Sequence, residues 1–358
     1  MTNSVDIIKR LLLNDQDCPF SKTELHVNVQ ELIKIASLNK CLHVVFHFIE
    51  CKECKEYIND KDTHRLIQLK LLVDVQQELL LQEQKKLIEI SRLNNLRIVF
   101  YKHNPCQKLF KTQKISSDID VLVTRQTQQK LCVLYKKQKY KQKIWPPKEI
   151  SLFSKKSPIS IDLHTLVAYP HHGTLTTARK LMIRRISAEI YMNFHSHTTN
   201  IVTGPYYLVF LSLYFWYNDL GFGLSTLYTF LKIIQFSADT DLDQVVQITR
   251  KYKCYTLFSF IVALSFQFFN VEISDKVIHR FQIGLKHRSI LPLFLKRFIV
   301  NKYFIDDWNS ENTTVSGIRT DFYLADMILN DTVSPIRLVR PRVCFLYIRS
   351  LLLPTGSL

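Results

Sequence analysis

The chain has 358 residues, 47% of them hydrophobic and 22% charged, proportions that exclude a chain disordered throughout and leave room for two or three domains. Lys and Arg number 48 against 31 Asp and Glu. The resulting formal charge of +17 points to a polyanionic partner (nucleic acid, a nucleotide or an anionic membrane surface) or to a compositional bias towards Lys, Ile and Asn. Only seven glycines occur, the first at Gly173, so no Walker loop, Rossmann fingerprint or kinase Gly-rich loop lies before it; the close pair Gly221 and Gly223 is not followed by GK[ST].

Residues 3–93 read as a helical region. The segment LIKIASLNKCLHVVFHFI (32–49) carries apolar residues at helical spacing, and 66–93 is a long amphipathic stretch. Between them, CKECKEYINDKDTHR (51–65) reads as a solvated connection. Cys51 and Cys54 within it have metal-ligand spacing, with Cys41, His47 and His64 near in sequence. No second CxxC accompanies them. The eight cysteines read as reduced thiols on helix surfaces and in cores of a cytoplasmic protein, since the start, MTNSVDIIKRLLLNDQD, is not a signal peptide.

The period then shortens. LRIVFY (96–101) and DIDVLV (118–123) read as strands, RQTQQKLCVLYKKQ (125–138) as a helix, and YKQKIW, EISLFSK and PISIDLHTLV as three further strands broken by Pro146-Pro147 and Lys-Ser-Pro. The class expected is α+β: a small mixed sheet within 94–173, flanked by an N-terminal helical region (1–93) and a C-terminal helical domain (174–358). Helices are expected at 208–217, 224–234, 242–252, 257–269 and 275–283, with SADTDLDQVVQ supplying an N-cap and an acidic first turn. Residues 190–218 and 254–271 lack Asp, Glu, Lys and Arg over a membrane-spanning length. His195, His197, Asn200, Gly204 and Pro205 interrupt the first, and Ser259, Ser265 and Gln267 the second, so buried helices are expected, with membrane insertion of 206–217 and 254–271 the lesser alternative. The basic, apolar end IRLVRPRVCFLYIRSLLL reads as a packed terminal helix or a surface for anionic lipid or RNA.

Asp118 and Asp120, in SSDIDVLV, carry the chemistry. On a strand they share one face while Ile119 and Val121 face the core, and two carboxylates on one face call for a compensating cation. Asp162, in IDLH, repeats the pattern 44 residues later on what should be a neighbouring strand. Three carboxylates projecting from one edge of a sheet suit a two-metal phosphoryl-transfer site; the plainer reading is a turn, an N-cap or a solvated strand end. His171-His172, His195 and His197 lack a carboxylate at metal-binding spacing, and Asp306-Asp307 reads as a turn or cap. Lys136, Lys137, Lys139, Lys141 and Lys143 alternate with Tyr135, Tyr140 and Trp145, a pattern for nucleic-acid phosphates and stacked bases or for a solvated helix end and a lysine-protected edge strand.

SDIDVLV and IDLH, with a long helix and a hydrophobic strand before them and helices after, resemble the uncharacterised nucleotidyltransferase family of the polymerase-beta-like nucleotidyltransferase superfamily over about 30–330. The resemblance implies metal-dependent transfer of a nucleoside monophosphate from an NTP such as ATP to an acceptor (RNA, a protein or a small hydroxylated molecule), with release of pyrophosphate. It implies that Asp118, Asp120 and Asp162 hold catalytic Mg²⁺, with Mn²⁺ as a substitute. Lys102, His103, Asn104 and Ser117 would face the nucleotide, and His164 would orient the ligands from behind or serve packing alone. His103 stands where the family has glycine, and the family's arginine ahead of the DxD strand is missing, with Lys111 and Lys114 the nearest cations. Those departures favour the alternative, a catalytically impaired module of the same fold that binds nucleotide or RNA.

Overall fold

The computed structural model describes residues 4–13, 28–38, 41–51, 54–101, 118–145, 149–155, 157–168, 177–194, 201–217 and 224–283. Within these, 4–217 and 224–226 form one compact unit and 227–283 belong to a second.

The first unit opens with α1 (Ser4–Leu13) and α2 (Val29–Leu38), whose Ile8, Leu12, Leu32 and Ala36 are buried. A 3₁₀ turn (Leu42–Phe46), the short α3 (His47–Glu50) and a second 3₁₀ turn (Cys54–Tyr57) follow. The next helix, α4 (Asp60–Leu93), has 34 residues and is therefore about 51 Å long. It starts inside the segment expected to be a solvated connection. The Asn59 side chain caps it by accepting from the Asp62 N–H, and acids at Asp60 and Asp62 suit the positive end of the helix. Cys54, in the same segment, is fully buried. Along α4 the buried positions Leu66, Val73, Leu80 and Leu87 recur every seven residues, a narrow stripe, while Leu71, Leu72 and Val75 are exposed.

The sheet has five strands: β1 (Val99–Phe100), β2 (Asp118–Leu122), β3 (Lys141–Trp145), β4 (Glu149–Ser154) and β5 (Ser157–His164), in the order β1-β2-β5-β4-β3. Among the described strands the β2–β5 pairing is parallel and the other three are antiparallel, so the sheet is mixed, as the sequence implies. The connection from β2 to β3 is α5 (Arg125–Lys137), capped by the Thr124 hydroxyl, which accepts from the Thr127 N–H. The Gln128 side chain of α5 donates to the Leu163 carbonyl at 2.8 Å, fixing the helix on β5. One sheet face is the core: Ile119, Val121, Ile161, Leu163 and Leu152 pack with Leu80 and Leu87 of α4 and Leu131 of α5. The helices α6 (Thr177–Phe194) and α7 (Gly204–Tyr217) complete the unit.

The second unit takes α8 (Leu224–Phe236) from residue 227 onward, α9 (Asp239–Lys251), α10 (Tyr255–Phe268) and α11 (Asp275–Phe281). Phe258 holds it together, its ring 5.1 Å from that of Phe230 and 5.4 Å from that of Phe281. Here α9 has the expected acidic first turn, but its N-cap is Ala238, which has no side-chain acceptor. Asp239 instead pairs with Lys276 and Arg280 of α11. Eleven consecutive residues of α7, Tyr207–Tyr217, are buried, as is most of α10. Each helix has 14 residues, so each spans about 21 Å against a hydrocarbon thickness of about 30 Å. Among the described residues no helix is long and apolar enough to cross a membrane.

Candidate metal centre

The site begins with strand register. β2 and β5 pair with Asp118 opposite Ser160, Asp120 opposite Asp162 and Leu122 opposite His164. Alternation along each strand then sends Ile119, Val121, Ile161 and Leu163 into the core and gathers Asp118, Asp120, Asp162 and His164 on the other face. The neighbouring-strand relation read from DIDVLV and IDLH is therefore present. Its position differs from the expectation of a sheet edge: β5 is the central strand and β2 lies beside it, so the acids stand within the sheet. The physical reason is the parallel pairing, which places the second acidic strand between β2 and the β4–β3 hairpin.

Burial sharpens the site. Asp120 is 1% exposed, Asp162 8% and His164 2%, whereas Asp118, at the start of β2, is half-buried. His164 donates its Nε2–H to Asp120 Oδ1 at 2.6 Å, and its Nδ1 lies 3.5 Å from Glu149 Oε2 on β4. Tyr101 meets the same imidazole edge-on, ring centroids 5.4 Å apart, which fixes the ring plane. Asp162 receives a hydrogen bond from the Ser151 hydroxyl, its cross-strand neighbour on β4, yet its Oδ1 is buried with no hydrogen-bond partner. Buried carboxylate oxygens are nearly always paired, so an orphaned one marks a place for a missing partner.

The electrostatics agree. Burial, and then the neighbouring charge of Asp120, push the Asp162 carboxyl from 3.8 up to about 6; Asp118 adds to the rise, while the Ser151 hydrogen bond and His164 oppose it. Asp120, Asp162 and His164 offer ligand atoms that all lie within 4.8 Å of one another. Asp118 falls outside this tight group, on the same face and near enough for its charge to act on Asp162. Carboxylate oxygens gathered with an unmet acceptor fit a divalent cation, which would partner Oδ1 and cancel the repulsion.

Register also carries the face outwards. Asp162 lies opposite Ser151, and Ser151 opposite Lys143 of the edge strand β3, so a single row runs Asp120, Asp162, Ser151, Lys143. Lys141 alternates onto the same face. The Lys136 and Lys137 part of the basic run forms the last turn of α5, and Tyr135 and Tyr140 are core residues in edge-to-face contact rather than surface stacking platforms. Lys102, His103, Asn104 and Ser117 lie outside the described residues, as do Lys111, Lys114, His171, His172, His195, His197, the pair Asp306-Asp307 and the terminal segment 336–353.

Sequence reasoning missed Ser151, Glu149 and Tyr101. Ser151 had a local signal, a hydroxyl between the apolar residues Ile150 and Leu152; the other two act through pairings between distant segments. Compared with known proteins, the chain matches no family model, no curated protein and no solved structure.

Proposed function

We propose that the chain is a metal-dependent nucleotidyltransferase that moves a nucleoside monophosphate from an NTP to a hydroxyl acceptor and releases pyrophosphate. The observation that carries this reading is the parallel register of Asp120 with Asp162, which sets two buried carboxylates side by side with Asp118 two residues away on the same face. In this reading Asp118, Asp120 and Asp162 hold Mg²⁺ or Mn²⁺, and the cation supplies charge neutralisation for the triphosphate when bound.

The chain's own residues supply the rest. In this reading Asp162 also takes the proton of an acceptor hydroxyl, a general-base role open to an ionised carboxylate beside the acceptor. The acceptor oxygen forms a bond to the α-phosphorus, the bond from that phosphorus to the bridging oxygen breaks, and pyrophosphate carries the electron pair away. His164 acts as a positioning residue, holding one oxygen of Asp120 so that the other has a fixed direction. Lys141 and Lys143 continue the face towards a polyanionic acceptor, for which RNA suits the charge of +17.

The second reading is a module of the same fold that binds nucleotide or RNA without turnover, and the feature favouring it is His103 in place of glycine beside the triphosphate. One experiment separates the two. The purified chain is incubated with each α-labelled NTP, Mg²⁺ or Mn²⁺, and an extract containing RNA, protein and metabolites, beside an Asp118→Ala, Asp120→Ala double variant. Label on one fraction with the intact chain alone is the expected result. Absence of label from folded protein that binds the cation would leave the binding module.

A further inference from the structure

We propose that His47, Cys51 and Cys54 form a second metal site, chemically distinct from the carboxylate centre, that takes zinc and clips the N-terminal helical region. His47 opens α3 and Cys51 caps its C-terminal end four residues later, a separation that puts both side chains on one side of a helical turn. The Cys51 N–H donates to the His47 carbonyl at 2.8 Å, holding that turn closed. Cys54 starts the next 3₁₀ turn and is fully buried. The three ligand atoms already lie within 4.8 Å of one another. A tetrahedral zinc with two thiolates and one imidazole needs them about 3.5–3.8 Å apart, a modest adjustment of side chains.

A second observation points to a ligand. His47 Nε2 is buried with no hydrogen-bond partner, a state that folded proteins avoid by a hydrogen bond or a metal bond. The structure also removes the competing candidates. His64 donates its Nδ1–H to the Asp60 carbonyl at 2.8 Å on α4, and Cys41 is a fully buried core thiol that burial pushes up to about 12. Neither joins the group.

Two sulfurs and an imidazole select a borderline-soft cation, whereas the carboxylate centre selects a hard one, so the chain sorts two metals by donor type. The site bridges α3 and the turn leading into α4, where Lys70 and Glu50 add an ion pair at 3.0 Å. A fourth position remains for water or a further side chain.

The test uses cobalt as the probe. The full chain, reduced and stripped with a chelator, is titrated with Co²⁺. The expected result is a thiolate-to-cobalt charge-transfer band that saturates at about one equivalent and is bleached by zinc. Asp120, Asp162 and His164 contain no sulfur and cannot produce that band. Cys51→Ser with Cys54→Ser, and separately His47→Gln, should lose or shift it, while His64→Ala keeps it. Absence of the band in the reduced wild-type chain, or its survival in the double cysteine variant, would overturn the proposal. Absence of the band is read on the unmodified chain, so that outcome does not depend on a variant folding.

Discussion

Two groups of aspartates in this chain meet opposite conditions. On α9, Asp239 and Asp243 are exposed and face cations on α11: Arg280 bonds Asp239 at 2.8 Å and Asp243 at 2.9 Å, and Lys276 also pairs with Asp239. The Asp239 carboxyl is held below its ordinary value, first by the Lys276 hydrogen bond and then by that of Arg280. On the sheet, Asp162 is buried beside Asp120 and is pushed up to about 6. Acid density alone does not distinguish a site from a helix end. The distinction is whether the chain provides the countercharge or leaves an orphaned oxygen for something else to satisfy.

The largest effect that tests this contrast is on turnover. In the proposed reaction, Asp162→Asn should lower label transfer on the order of 10³-fold, while Asp239→Asn leaves it unchanged. Equal losses in both variants would break the comparison.

Stability gives the next. Because the folded pKa of Asp162 lies above its unfolded value, the folded state binds the extra proton between about pH 4 and 6, and stability falls as pH rises through that window. The difference of about two pH units corresponds to about 3 kcal/mol, fully expressed above pH 6 and absent below pH 4. In metal-free protein, urea unfolding should therefore find Asp162→Asn more stable than wild type at pH 7.5 by up to about that amount, with no gain at pH 4. Asp239 has the opposite sign: its depressed value gives stability that is present above the unfolded pKa and lost as pH falls through the folded one.

Cation binding comes third. Mg²⁺ or Mn²⁺ at about 100 times its dissociation constant should stabilise the wild type by about 2.7 kcal/mol. Asp120→Asn should abolish that gain. Binding should weaken as pH falls below 6, because the proton on Asp162 competes with the cation, and isothermal titration in two buffers should record its release. The smallest effect belongs to the exposed pair. Asp239→Asn should lower the melting point slightly at low salt, and the difference should close at high salt.

How much of this was legible in the sequence follows from the range of each interaction. DIDVLV declared its alternation, and the helices at 224–236, 239–251 and 255–268 declared themselves through local period and punctuation. Parallel pairing of β2 with β5 had only the indirect signal of a second acidic strand, since no local turn specifies it. The bond from His164 to Asp120 depends on that register and could not be read beforehand. The start of α4 was misplaced because Asn59 acts through a single cap, a weaker signal than the charged run around it. The edge placement of the acids failed because strand order is a global property.

The same parallel pairing bears on how the chain folds. Strands β3, β4 and β5 follow one another and pair antiparallel, so they close over short loops, whereas β2 must return to β5 across α5 and the β3–β4 hairpin. Loop-closure entropy makes that non-local contact the slower one to form. Until β2 docks, Asp120 and Asp162 are apart and the charge of Asp120 does not act on Asp162. The repulsion between the two carboxylates thus arises only when β2 joins β5. Divalent cation present during refolding should speed that final step if it bridges the strands before they zip, and otherwise should only slow their separation.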